Sequence, residues 1–420
     1  MNLLPEHRQN KKYYINLLIS AYLLYVVSIA IKLCYSAQMV EIGPHFGVDK
    51  SRLSIGLTIY YLVYASAQLL LTAFVKKLNL KKFIGITVFL SGLTFSMMMF
   101  VNQIWQAWLI LGVNGIFQVA IWGGCMSIFG KYFPDYLMRT VSNVMSTGMA
   151  IGTFLAYGVA AFFVAVLSWQ WTFLFFGILT ILTVIYFYVS EKKIEKNVGE
   201  VKINTKINYV NEKNKPQSKG FIVFMLMCFI GVFSFIVTIV YYALTNWVPN
   251  FLKEVHGVPS SYSILITLLL PIGIFFGPFF SSYLCKKNNN YFAVLIPLLI
   301  GAVIVMGLMI FLYDYSLILG IIMPVLILFL IRAVMNVLLA FLPLKMRGII
   351  ETGKSSLILN ALACISAAIV PFISAIIMES WGWGAFFIFI TIIGVVSLVL
   401  SIIGAIWASK RKFFEEKQNG

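Results

Sequence analysis

Twelve apolar stretches, each long enough to cross the hydrocarbon core of a bilayer, recur along this chain, and nothing constrains its fold more. Six lie at about 14–40, 53–75, 83–101, 105–129, 141–167 and 171–189. Six more follow at about 221–248, 262–284, 291–312, 316–344, 355–378 and 385–408. Twelve crossings of roughly 20 residues need about 240 apolar positions, and 61% of 420 residues supplies them with little left over. A soluble protein runs nearer 45–50% apolar and about 25% charged, whereas only 11% of this chain is charged. An open strand edge in lipid would leave backbone groups unpaired, so each stretch reads as a helix. The expected fold is an all-α integral membrane protein with twelve transmembrane helices.

The helices fall into two bundles, 14–189 and 221–408, flanked by tails at 1–13 and 409–420. Between them 190–220 reads as a flexible linker, polar and without apolar periodicity, with eight lysines and four glutamates in Glu191–Gly220. The basic tail precedes an apolar run too long for a signal-peptide core, so that run is expected to stay as a helix.

A net charge of +17 would suggest nucleic acid or acidic partners in a soluble protein of this size. Its distribution gives it another meaning. With the N-terminus inside, 26 of the 31 lysines and arginines fall in tails, linker and loops on one side; Lys50, Arg52 and Lys253 alone mark the other. Basic loops stay cytoplasmic, so both termini are expected inside, in a bacterial cytoplasmic membrane, with no nucleic-acid partner. Lys32 and Arg332 remain, and both fall inside apolar stretches.

The bundles also repeat each other in parallel. Phe46-Gly47-Val48 matches His256-Gly257-Val258 and Lys76-Lys77 matches Lys286-Lys287, both at an offset of 210. Met138-Arg139 pairs with Met346-Arg347 at 208, and Ser168-Trp169-Gln170-Trp171 with Ser380-Trp381-Gly382-Trp383 at 212. Four landmarks in register point to duplication.

Two six-helix halves in parallel repeat, with both termini inside and a basic central loop, resemble the major facilitator superfamily. The resemblance implies a cavity lined by the first, fourth, seventh and tenth helices, exposed to each side in turn as the halves rock. Asn246-Trp247-Val248-Pro249-Asn250-Phe251-Leu252-Lys253-Glu254-Val255 is similar to the seventh-helix exit of the organophosphate:phosphate antiporters. Phe117-Gln118 with Trp122 is similar to their fourth helix. That branch places two arginines on the substrate phosphate, with a lysine and a histidine nearby. At the matching positions this chain has Lys32, Tyr241, Gln68 and Ala150. The superfamily's acidic signature after the second helix is replaced by Lys76, and by Ser282 in the second half.

A cation near midspan costs about 2.5–3.5 kcal/mol on insertion scales, so Lys32 and Arg332 need compensation. One source is snorkelling by Lys32 and a hydrogen bond from Arg332 to helix carbonyls or Asn336. Yet all fourteen acids lie in loops, tails or at helix ends, Glu41, Glu254 and Glu351 among them. Intramembrane cations without an anion suggest that the anion is the substrate. Helical spacing adds neighbours to those faces: Tyr25, Ser28, Tyr35 and Ser36 about Lys32; Asn114, Gln118 and Trp122; Ser234, Thr238, Tyr241, Tyr242 and Thr245. Tyr64 and Gln68, with Ser356 and Asn360, extend the lining, and Tyr35, Gln68, Gln118, Trp122, Tyr241, Tyr242, Asn246, Asn336 and Asn360 join the two cations as expected substrate ligands. Helix-to-helix packing is the competing role for each of them. Glycines 148, 152, 273 and 277 read as close-packing points.

The five cysteines are scattered and read as small buried hydrophobes, and the three histidines sit outside the apolar stretches. No cofactor or metal is expected, and no nucleophile with a base or P-loop suggests an enzyme or a direct ATP pump. The expectation is therefore a monomeric secondary transporter of a small organic anion, whether organophosphate, phosphonate or carboxylate. Anion exchange is favoured because no carboxylate or histidine sits at midspan to relay protons. An exporter of hydrophobic or cationic compounds, favoured by 16% aromatic residues, and a non-transporting solute sensor are the alternatives.

Overall fold

A computed structural model describes residues 10–74, 79–198, 220–288, 290–342 and 352–410. Among them every regular element is a helix. The first bundle holds α1 (Lys11–Phe46), α2 (Lys50–Phe74), α3 (Leu80–Ser96), α4 (Ile104–Gln118), α5 (Ile121–Tyr132), α6 (Asp135–Val166) and α7 (Trp169–Asn197). The second holds α8 (Gly220–His256), α9 (Ser260–Ile266), α10 (Leu270–Lys287), α11 (Tyr291–Leu312), α12 (Leu317–Asn336) and α13 (Thr352–Lys410).

Ten helices among the described residues are long and apolar enough to cross a membrane. The difference from twelve has two local causes. The fourth span is interrupted after Gln118, leaving α4 and α5 at 15 and 12 residues. The last two spans are two helices that meet without an intervening loop in α13, divided at Gly382, whose φ of 77° and ψ of −177° are not helical. The eighth span is α9 and α10 joined by a 3₁₀ turn at Thr267–Leu269, and the tenth ends in a π turn at Val337–Phe341.

The repeat reappears in the caps. Gly47 and Gly257 both adopt positive φ, 59° and 66°. Behind each glycine the valine N–H bonds backward, Val48 to the Gly43 carbonyl at 3.1 Å and Val258 to that of Leu252 at 3.3 Å. A side chain there would meet no atom within 4 Å, so the left-handed backbone rather than space demands glycine. Asn79 and Asn290, 211 positions apart, cap α3 and α11 by accepting from the N–H groups of Lys82 and Ala293. Of the other landmarks, Lys76, Lys77, Met346 and Arg347 lie outside the described residues.

Close packing divides the chain into two compact units: residues 1–38 with 63–217, and residues 39–62 with 218–420. In the first, α3 packs on α7, and Gly92 is the reason: a Cβ there would lie 2.8 Å from the Gly177 carbonyl. Gly152 of α6 likewise meets the Val26 carbonyl of α1 at 2.6 Å. Tyr14, Leu17, Ile84, Phe129, Tyr132 and Phe187 belong to its buried core. In the second, α8 and α11 pack along α13, and α10 on α12, where Gly273 and Gly277 meet the carbonyls of Val325 and Phe329 at 2.5 Å each.

Residues 39–62 belong with the second unit for visible reasons. Thr58 donates to the Ala368 carbonyl, the Ser51 N–H to Glu379, and Lys50 pairs with Glu254 at 2.9 Å. Helix α7 runs past residue 189 to Asn197 because Ser190, Glu191 and Ile194 are buried on one face. Most of the remaining linker lies outside the described residues.

Candidate functional site

Lys32 sits on α1, half-buried, with its ammonium 4.3 Å from the centre of the Tyr64 ring on α2. Tyr64 is buried, so the ring is held rather than free to swing. Among the described residues no carboxylate pairs with Lys32. A cation over an aromatic face gains about 0.5–2 kcal/mol, less than the roughly 2.5–3.5 kcal/mol that a midspan cation costs.

The neighbouring polar residues are occupied differently. Gln118, at 1% exposure, accepts from Ser28 at 2.6 Å and donates to Ser91 at 2.7 Å, tying α4 to α1 and α3. Asn114 donates to Ser91 on the same face. Trp122, just beyond the break after α4, stacks at 4.8 Å on Tyr25 and stays 38% exposed. Tyr35 is fully buried in α1, and Gln68 is half-buried on α2. Ser36 bonds back to its own helix at Leu33.

In the second unit Arg332 of α12 lies with its guanidinium carbon 5.5 Å from the ring centre of Tyr241 on α8. Gly277 of α10 makes room beside it, since a Cβ there would come within 3.0 Å of the Arg332 Cβ. Tyr241 packs on Tyr242 at 5.1 Å, Tyr242 on Tyr61 at 5.7 Å, and Tyr61 on Tyr60 at 5.1 Å. Four tyrosines thus run from the arginine to α2. Asn246 is buried at 1% exposure, and its Nδ2 has no hydrogen-bond partner among the described residues. Asn336 instead donates to the Pro278 carbonyl and to Ser281, fastening α12 to α10. The Asn360 side chain lies outside the described part of α13.

Two groupings were not expected from sequence. Where α1, α2, α8 and α13 meet in the second unit, a cavity of about 420 Å³ is lined by Asp49, Lys50, Asn250, Lys253, Glu254 and Glu379 among others. Lys253 reaches Glu41 at 3.7 Å and the Val40 carbonyl at 3.2 Å, while Glu254 takes both Lys50 and the Trp383 indole N–H. These charges are distant in sequence, and no local pattern announces their pairing. In the first unit Glu191, at 2% exposure, accepts from the Tyr132 hydroxyl at 2.7 Å. The sign that was present was a carboxylate at an i−3 spacing from Ile194, continuing the buried face of α7.

Among the described residues no three His, Cys, Asp or Glu side chains gather to hold a metal. Four cysteines are buried, whereas Cys228 is exposed on α8.

The fold is similar to that of solved transporters. A D-xylose-proton symporter superposes with a TM-score of 0.76 at 11% identity, covering 93% of this chain and 97% of that one. A bacterial homolog of the human lysosomal transporter Spinster, inward-facing and unoccupied, gives 0.70 at 15% identity over 96% and 99%. By sequence, a benzoate transport protein of Acinetobacter baylyi is 24% identical over 221 residues, 46% of this chain. The match spans 45% of that relative's length. The model of the Major Facilitator Superfamily matches residues 15–349. With that match over most of its length, the chain belongs to the Major Facilitator Superfamily.

Proposed function

We propose that this protein is a secondary transporter that carries a small organic anion across a bacterial cytoplasmic membrane by alternating access, with Lys32 and Arg332 as its cationic ligands. The observation that carries the reading is Lys32, a midspan cation whose charge meets, among the described residues, the Tyr64 ring and no carboxylate. An anion that enters supplies the missing counter-charge, and it leaves when the site opens to the other side. The protein acts as a monomer with both termini cytoplasmic, and it exchanges one anion for another.

Within the anion class, a carboxylate on an aromatic frame is favoured over a phosphate ester. Both cations rest on tyrosine faces, and the run Tyr241, Tyr242, Tyr61 and Tyr60 offers ring surface beside Arg332. The relative described as a benzoate transport protein points the same way. The resemblance of Asn246–Val255 to the organophosphate:phosphate antiporters supports the phosphate ester, but Tyr241 and Gln68 stand where that branch has arginine and lysine.

Uptake of radiolabelled benzoate and of glycerol phosphate into proteoliposomes, each preloaded with unlabelled anion, tests the proposal. The parent protein is expected to take up the carboxylate, and Lys32→Gln and Arg332→Gln each to lower uptake at least about tenfold, the equivalent of roughly 1.4 kcal/mol. Undiminished uptake in both variants would sink the two-cation site. Preference for glycerol phosphate would move the substrate to the phosphate-ester class.

A further inference from the structure

We infer that the groove between α3 and α7 is a binding site for an anionic phospholipid, its acyl chain in the groove and its headgroup between Lys82 and Lys192. The two helices touch backbone to backbone where Gly92 faces Gly177. Toward Lys82 they leave a groove of about 560 Å³, within the range of about 300–1,000 Å³ that ligand sites occupy. Gly85, Ile86, Phe89 and Leu90 of α3 line one wall, and Val184, Ile185, Tyr188 and Val189 of α7 the other. Ile86, Phe89, Ile185 and Val189 are 41–60% exposed, so the walls are apolar and uncovered.

One end of this groove is cationic. Lys82 lines it directly, one turn before Gly85 and Ile86 on the same face of α3. On α7 the face that carries Ile185, Tyr188 and Val189 continues to Lys192, which is exposed. The helices run antiparallel, since Gly85 faces Tyr188 and Gly92 faces Ile181. That register sets Lys82 opposite Glu191 and Lys192. Glu191 does not line the groove: it is buried and its carboxylate is turned to the Tyr132 hydroxyl of α5. Glu195 lies one turn further from the groove. The positive end of the α3 dipole adds to the lysines at the same place. An apolar slot about 10 Å long, opening at a pair of ammonium groups, fits a lipid whose headgroup bears net negative charge. A zwitterionic headgroup brings its own ammonium and gains less.

The test uses the full-length protein in detergent, titrated with phosphatidylglycerol or phosphatidylcholine of the same acyl chains and read by native mass spectrometry. The parent is expected to retain phosphatidylglycerol roughly 10–30-fold more strongly, from about 1 kcal/mol per lysine at a membrane surface. Lys82→Gln with Lys192→Gln is expected to abolish that preference, and both positions are exposed, so folding is spared. Gly85→Phe, which fills the groove, is expected to weaken retention of both lipids. Equal retention of the two lipids by the parent, or an unchanged preference in the lysine double variant, would overturn the site. Loss of the preference with retention of both lipids intact in Gly85→Phe would refute the groove as the place where the acyl chain lies.

Discussion

At the scale of single residues, polar groups on helix faces separate into those already satisfied and those that are not. Gln118 has both ends of its amide engaged, by Ser28 and by Ser91, inside a buried cluster. Truncation strands the Ser28 hydroxyl, at a cost of about 1–3 kcal/mol, whereas Ser91 still accepts from Asn114. Gln118→Ala is therefore expected to lower the melting temperature clearly while moving KM less, as thermal unfolding and proteoliposome kinetics on the same preparation will show. Lys32 is the opposite case, held by a ring face. Tyr64→Phe keeps that face and is expected to retain transport, whereas Tyr64→Leu removes about 0.5–2 kcal/mol of cation–ring attraction. Uptake kinetics that rank Leu with Phe would show that the ring does not position the lysine. The cations were readable one residue at a time, because a charge in an apolar run is conspicuous. That Lys32 rests on Tyr64 and Arg332 on Tyr241 was not, since 32 and 91 positions separate the partners.

At the scale of elements, glycine sets how closely helices approach. A Cβ on Gly277 would lie 2.5 Å from the Phe329 carbonyl and 3.0 Å from the Ala333 nitrogen, both backbone atoms that cannot turn aside. Gly277→Leu is expected to destabilise by about 1–3 kcal/mol, the usual cost of overpacking. A Cβ on Gly307 of α11 would meet no atom within 4 Å, which makes that position the control. Gly307→Ala is expected to leave the melting temperature unchanged or to raise it, since alanine favours a helix by about 1 kcal/mol over glycine. Equal losses in the two variants would refute close approach as the reason for glycine at 277. Helix lengths were legible from apolar runs to within a turn or two in most cases. The break after Gln118 and the extension of α7 to Asn197 were not. The run through 118–122 is apolar on both sides of the break, and the end of α7 is polar in composition while its buried side faces its own unit.

At the scale of the whole molecule, the charge pairs at the ends of α1, α2, α8 and α13 are the clearest long-range links within the second unit. Lys50 and Glu254 are 22% and 37% exposed, so their pairing is worth at most about 1 kcal/mol and is screened by salt. Lys50→Gln and Glu254→Gln are each expected to lower the melting temperature slightly at low salt, the double variant no more than either alone. The difference is expected to vanish in about 1 M salt, where the screening length falls to roughly 3 Å. Additive losses would mean that the two residues act separately. By itself the sequence determined the class of protein, the helices and their duplication, because hydrophobic length, charge bias and capping residues are local or periodic properties written along the chain. The tertiary structure decided which helix faces meet, which amides are consumed in packing, and why residues 39–62 group with 218–420. Those outcomes depend on backbone approach and pairing between residues hundreds of positions apart, which no local pattern encodes.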